Sequence, residues 1–173
     1  KKKDELVKDL FVFSCFTGLS YSDIKGLKNS NIQEFFDGNQ WIIVRRRKTA
    51  TSSNVMLLDI PKMIIEKYTG LSKDGKVFPV PSNSSCNDRL KVISQQIDCL
   101  KEKKVTFHLA RHTFATLFLS EGVPLESLSK MLGHKNIATT QIYAKILNEK
   151  VGKDMQKVSH KFKGLERSFV SQL

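Results

Sequence analysis

His108–Lys145 reads HLARHTFATLFLSEGVPLESLSKMLGHKNIATTQIYAK, and its periodicity and punctuation predict three consecutive helices. Leu109, His112, Phe114, Leu117 and Phe118 roughly trace one stripe, which Gly122 ends as a residue just past a helix C-terminus. Pro124 fits the first position of a second helix, whose apolar stripe is Leu125, Leu128, Met131 and Leu132 and whose stop is Gly133. Asn136 can cap a third helix carrying Ile137, Thr140 and Tyr143.

The same stretch concentrates groups suited to phosphate chemistry. His108 and Arg111 stand three apart on a helical pattern, so both leave one face. His134 follows the Leu132-Gly133 stop, nine residues before Tyr143. On one continuous helix that separation would point the two about 180° apart, so the break at Gly133 is what lets them turn toward a common point. A guanidinium offers a planar fork to two phosphate oxygens, imidazoles donate to the same oxygens, and a phenol is a nucleophile that can hold phosphorus covalently. Together they suit a phosphodiester break stored as a phosphotyrosine.

Working outward, residues 4–16 read as a buried helix carrying Leu6, Val7, Leu10, Phe11, Phe13 and Cys15, ended by Gly18. Ser20 or Ser22 can cap a short helix from Asp23 to Leu27. Residues 31–36 and 40–47 are expected as strands around the Asp37-Gly38-Asn39 turn, with 49–54 a polar turn and 55–58 a third strand. Pro61 is expected to open a helix through Tyr68 with Met63, Ile64 and Ile65 inward, and Gly70 to close it. Residues 71–85 read as a loop, Asn87 or Asp88 as the cap of a helix through Leu100, and 101–104 as a charged connector. The fold class is therefore α+β, mainly α-helical, with a small three-stranded antiparallel sheet. Beyond Leu147 apolar residues recur at helical spacing, as Val151, Met155 and Val158 and again as Phe162, Leu165 and Phe169.

Composition narrows the partners. At 173 residues the chain reads as one domain, and a first residue of Lys1 rather than Met points to a piece of a longer chain. No apolar run approaches the roughly eighteen residues needed to span a bilayer, and no secretory signal pattern is present at the start. Cys15, Cys86 and Cys99 are widely spaced and odd in number; they read as reduced, mostly core residues without metal-site spacing. The net charge of +12, from 29 Lys and Arg against 17 Asp and Glu, calls for a polyanion. No amphipathic helix with a basic face stands out, so nucleic acid is preferred over a membrane surface.

The residues that carry a family resemblance are His108-x-x-Arg111-His112-Thr113-Phe114-Ala115-Thr116, then Leu132-Gly133-His134, then Thr139-Thr140-Gln141-Ile142-Tyr143, with Thr17-Gly18-Leu19-Ser20-Tyr21-Ser22-Asp23-Ile24 upstream. Over residues 5–147 the chain resembles the catalytic domain of the tyrosine recombinases, or phage-type integrases. The resemblance implies a helical catalytic domain spanning 1–173, with an N-terminal DNA-binding domain absent and 148–173 a tail that docks on a neighbouring protomer. It implies Tyr143 as nucleophile, Arg111, His108 and His134 on the non-bridging oxygens, Lys48 as general acid, and His112 and Asp23 in support. Arg45, Arg46, Arg47 and Lys48 would meet DNA. The partners implied are double-stranded DNA and further copies of the chain, as a tetramer on paired sites, with neither metal, cofactor nor small-molecule substrate. The implied setting is a bacterial cytoplasm, at the nucleoid.

One position departs from the family. After Thr-Gly-Leu the recombinase pattern has an arginine that grips the scissile phosphate, and here Ser20 stands instead. Four readings follow: another arginine substitutes, the enzyme is slow, the domain binds without cutting, or the serine is an introduced change. Strand alternation would put Arg46 on the face of Lys48, which nominates Arg46 as the substitute. Ser20→Arg is then expected to be tolerated or to raise cleavage, and Arg46→Ala to lower it. The alternative readings are a recombinase relic that binds DNA as an accessory factor, and a topoisomerase that only relaxes DNA.

Overall fold

The structure is a computed structural model and describes residues 2–46, 50–146, 152 and 154–159. Helix α1 runs from Lys2 to Thr17, uninterrupted by Gly or Pro and with Asp4 and Glu5 in its first turn, where the helix dipole favours acids. Its Val7, Leu10 and Phe13 are fully buried and form the axis of the larger core cluster. Helix α2 spans Tyr21–Gly26 and is capped by Ser20, which decides between the two candidate caps and starts the helix two residues earlier than expected.

The sheet is antiparallel in the order β1 (Ile32–Glu34), β2 (Gln40–Arg45), β3 (Ser52–Met56). The first hairpin forms as expected: Gly38 takes φ 72° and Asp37 Oδ1 accepts the Asn39 N–H at 3.0 Å. Three boundaries move. Residues 29–31 form a 3₁₀ turn ahead of a shorter β1, Arg46 leaves the strand, and β3 begins at Ser52, inside the expected turn. Register overrides propensity in β3, because Arg45 and Val44 pair with Ser52 and Ser53, and the buried Ser53 hydroxyl donates to the Met131 carbonyl.

Helix α3 is Asp59–Tyr68, so Pro61 lies in its first turn, where the missing N–H leaves no bond unmade, and not at its first position. Met63 points out, 67% exposed, while Ile64 and Tyr68 are buried. The buried Asp9 of α1 ties the two helices together by accepting from Tyr68 Oη at 2.9 Å and Lys67 Nζ at 2.7 Å. Helix α4 is Asn83–Ser94, its cap five or six residues ahead of the expected Asn87 or Asp88, because Ser82 accepts the Ser85 N–H at 3.2 Å. It stops short of the expected end, and residues 98–100 form a separate 3₁₀ turn. Asn87 caps nothing in α4; its Oδ1 accepts the Phe107 N–H at the start of the next helix, at 3.3 Å.

Helices α5 (Phe107–Ser120), α6 (Leu125–Leu132) and α7 (Ala138–Ile146) are the three read from the quoted stretch. The buried face of α5 is Phe107, Ala110, Arg111, Phe114, Ala115 and Leu119, offset from the expected stripe, and Leu117 is 37% exposed. Pro124 precedes α6 as its cap residue. Phe114, Ala115, Leu119, Leu128, Leu132 and Tyr143 close a second, smaller core. Residues 152 and 154–159 are helical with Met155 62% exposed, and the other residues of the expected tail lie outside the described residues.

Gly133 ends α6 where that helix packs against Arg46 and Ser53. It takes φ 60° and ψ 40°, so that its own N–H reaches the Lys130 carbonyl and the His134 N–H the Ser129 carbonyl. A Cβ here would lie 2.3 Å from Arg46 Cδ. Gly133→Ala is therefore expected to destabilise the fold by about 1–3 kcal/mol, from the left-handed backbone and the clash together. A urea titration checks this; an unchanged midpoint would show that Arg46 moves aside freely.

Candidate catalytic cleft

A cleft of about 710 Å³ lies where α2, the end of β2, α5, the C-terminus of α6 and α7 meet. Ser20, Asp23, Arg46, His108, Arg111, His112, His134, Thr139 and Tyr143 all line it. The Gly133 break does what the spacing required, since His134 and Tyr143 face the same space.

The end of α6 organises the basic groups. Its last carbonyls carry the negative end of the helix dipole and have no partner within the helix. Leu132 O accepts from Arg46 Nη1 at 2.5 Å and from Arg111 Nη2 at 2.6 Å. Gly133 O accepts from Thr51 Oγ1 at 2.5 Å, and Met131 O from Ser53. Arg111 Nη1 also donates to the Gly18 carbonyl at 2.6 Å. Both arginines are 8% exposed. Burial, then the neighbouring Arg46 charge, lowers the Arg111 pKa to about 10, and burial lowers that of Arg46 against the opposing pull of Asp23. Arg111 therefore keeps its charge at neutral pH, and the cleft presents two paired guanidinia.

Asp23 offsets this charge. Its Oδ2 lies 3.0 Å from Arg46 Nη2 and accepts the Ser20 hydroxyl at 2.6 Å and the Ser20 N–H at 3.0 Å. Ser20 is thus a helix cap in a reciprocal box with Asp23. The guanidinium beside Asp23 comes from Arg46.

The imidazoles form two groups. His134 Nε2 lies 2.9 Å from Arg111 Nη2, and its Nδ1 lies 2.8 Å from Thr140 Oγ1. Burial, then Arg111 and Arg46, pushes its pKa down to about 4. His108 and His112 meet Nε2 to Nε2 at 2.8 Å, so one donates and the other accepts. Burial, then His108 and Arg111, lowers the His112 pKa. The His112 ring packs edge-on against Tyr143 with centroids 5.4 Å apart. Tyr143 is 4% exposed; burial raises its pKa and the Arg111 charge opposes that.

Arg45 points away from this set and donates from Nε to the Ala50 carbonyl at 3.0 Å. Arg47 and Lys48 lie outside the described residues. Sequence reasoning missed Thr140 as anything but a helix residue, although the Thr139-Thr140 pair stood in the quoted stretch. It also missed the carbonyls of Gly18 and Leu132, which no side-chain pattern could reveal. Among the described residues no group of three or more His, Cys, Asp or Glu converges as a metal site, and no helix is long and apolar enough to cross a membrane.

A family model described as the phage integrase family matches residues 3–150. Tyrosine recombinase XerA of Thermococcus onnurineus (strain NA1) is 30% identical over 166 residues, 91% of this chain and 56% of its own length. The chain thus spans about half the length of the curated relatives it matches. The crystal structure of XerA recombinase superposes with a TM-score of 0.67 at 22% identity, covering 88% of this chain and 62% of that one. XerH site-specific recombinase, solved bound to its difH substrate after cleavage, gives 0.68 at 20% identity, covering 86% and 44%. The family match over most of the chain and the shared architecture agree with the motifs: the chain belongs to the phage integrase family and has the catalytic-domain fold of the tyrosine recombinases.

Proposed function

We propose that the chain is the catalytic domain of a site-specific DNA recombinase that cuts and rejoins duplex DNA through a 3′-phosphotyrosine, in integration, excision or inversion. The observation that carries this reading is the single cleft shared by Tyr143, Arg111, Arg46, His108 and His134. The Tyr143 oxygen attacks phosphorus as its proton passes to solvent, Arg111 stabilises the developing phenolate charge, and the bond from phosphorus to the 5′ oxygen breaks. Arg111, Arg46, His108 and His134 hold the non-bridging oxygens as charge builds on them. Lys48 protonates the departing 5′ oxygen. Bond energy stays in the phosphotyrosine, so a 5′-hydroxyl from a partner strand reseals the backbone without ATP.

Arg46 takes the place of the arginine expected at position 20. Its support is the ion pair to Asp23 and the shared Leu132 carbonyl, which set its guanidinium alongside that of Arg111. His112 supports His108 and the Tyr143 ring. Recombination requires further copies of the chain, four on paired DNA sites, with residues 148–173 docking on a neighbour.

The direct test is incubation with a pool of nicked duplexes, whose cleaved strand loses the short fragment needed for resealing, followed by a denaturing gel. A protein–DNA adduct is the expected result; none from any duplex would sink the reading. The net charge of +12 predicts a steep salt dependence as well. With six or more phosphates contacted, affinity should fall by about 10³-fold or more between 50 and 200 mM salt. Fluorescence anisotropy measures this, and a flat response would argue against a DNA cleft.

A further inference from the structure

Thr140 is completely buried, and its hydroxyl meets Nδ1 of His134 at 2.8 Å. Across the ring, Nε2 lies 2.9 Å from Arg111 Nη2. A guanidinium only donates, so Nε2 accepts and the ring's proton sits on Nδ1, donated to Thr140 Oγ1. In that tautomer the nitrogen beside Arg111 has no proton to give a phosphate oxygen.

Two routes would put one there. The ring can charge, but burial and the two arginines hold its pKa near 4. Alternatively, the neutral ring can give up its Nδ1 proton to solvent and take one from solvent at Nε2, keeping its charge unchanged. That second route needs a partner at Nδ1 that accepts in one state and donates in the other. A carbonyl or carboxylate only accepts and an ammonium only donates, whereas a hydroxyl does both.

We propose that Thr140 is a positioning residue whose hydroxyl reverses direction when phosphate enters the cleft, so that His134 passes from accepting an Arg111 N–H to donating its own Nε2–H to a phosphate oxygen as a neutral imidazole. The proposal rests on the recombinase reading above. It assigns a task to the second threonine of the Thr139-Thr140 pair and gives His134 a way to act without adding a positive charge beside the two guanidinia.

The test is a long-range proton–nitrogen spectrum of protein labelled with ¹⁵N-histidine. In the free protein the unprotonated nitrogen of His134 should be Nε2. In the Tyr143→Phe variant saturated with duplex DNA it should be Nδ1. A ring protonated at both nitrogens in the complex, or a free protein already protonated at Nε2, overturns the proposal. In parallel, Thr140→Val should retain DNA binding within about twofold and lose about tenfold in the rate of adduct formation, as for one lost hydrogen bond, while Thr140→Ser restores it within about twofold. Thr140→Val cleaving at the wild-type rate would also overturn it. Should the valine variant fail to fold, the spectra of the wild type and of Thr140→Ser decide alone. Wild-type protein that forms no adduct removes both readings, whereas an adduct formed with the wrong tautomer removes only this one.

Discussion

Tyr143→Phe is expected to abolish the covalent DNA adduct, a loss of at least about 10³-fold, while leaving DNA affinity nearly unchanged. The substitution removes one oxygen and keeps the ring. That ring belongs to the smaller core, 4% exposed and edge-on to His112, so the cleft should keep its shape. Burial holds the phenol protonated at rest, with the Arg111 charge opposing. On the proposed mechanism this buried hydroxyl becomes reactive as phosphate and guanidinium share its developing charge. The measurement is a denaturing gel of nicked duplex beside an anisotropy titration of the same DNA. An adduct trapped equally well by the variant would remove Tyr143 as nucleophile.

Arg46→Ala should lower adduct formation by about 10²–10³-fold, the cost of deleting one preorganised donor to a transition-state oxygen. Arg46→Lys should recover part of this, because an ammonium supplies charge but no planar fork. The alanine variant also strips a buried carboxylate of its partner, since the side chains of Arg46 and Asp23 are 9% and 5% exposed. That costs about 3–5 kcal/mol of stability, so cleavage must be compared at a temperature where both proteins are folded. The structure revises the expectation for Ser20→Arg. Ser20 caps α2 and bonds Asp23, so its loss costs about 1 kcal/mol, and the new arginine would be a third guanidinium beside one carboxylate. Ser20→Arg alone should not raise cleavage; added to Arg46→Ala, it should restore part of what was lost. An Arg46→Ala protein that cleaves at the wild-type rate would show that this side chain holds the fold together without touching phosphate.

Sequence alone determined the three helices of residues 108–145, the helical class with its small antiparallel sheet, the basic character, and the cluster of His108, Arg111, His134 and Tyr143. These follow from local rules: periodicity, glycine stops, turn residues and charge act over a few neighbours and leave a readable trace. Strand alternation nominates Arg46, although the residue in fact leaves the strand at that point. What sets it beside Asp23 is the C-terminus of α6, whose Leu132 carbonyl lies 86 residues further along the chain. Only the tertiary structure decided that Ser20 is a cap, that β3 begins among serines, and that Thr140 faces His134. The start of β3 in particular follows from a donor and an acceptor far apart in the chain, the Ser53 hydroxyl and the Met131 carbonyl, a pairing set by burial and distance that no local spacing encodes.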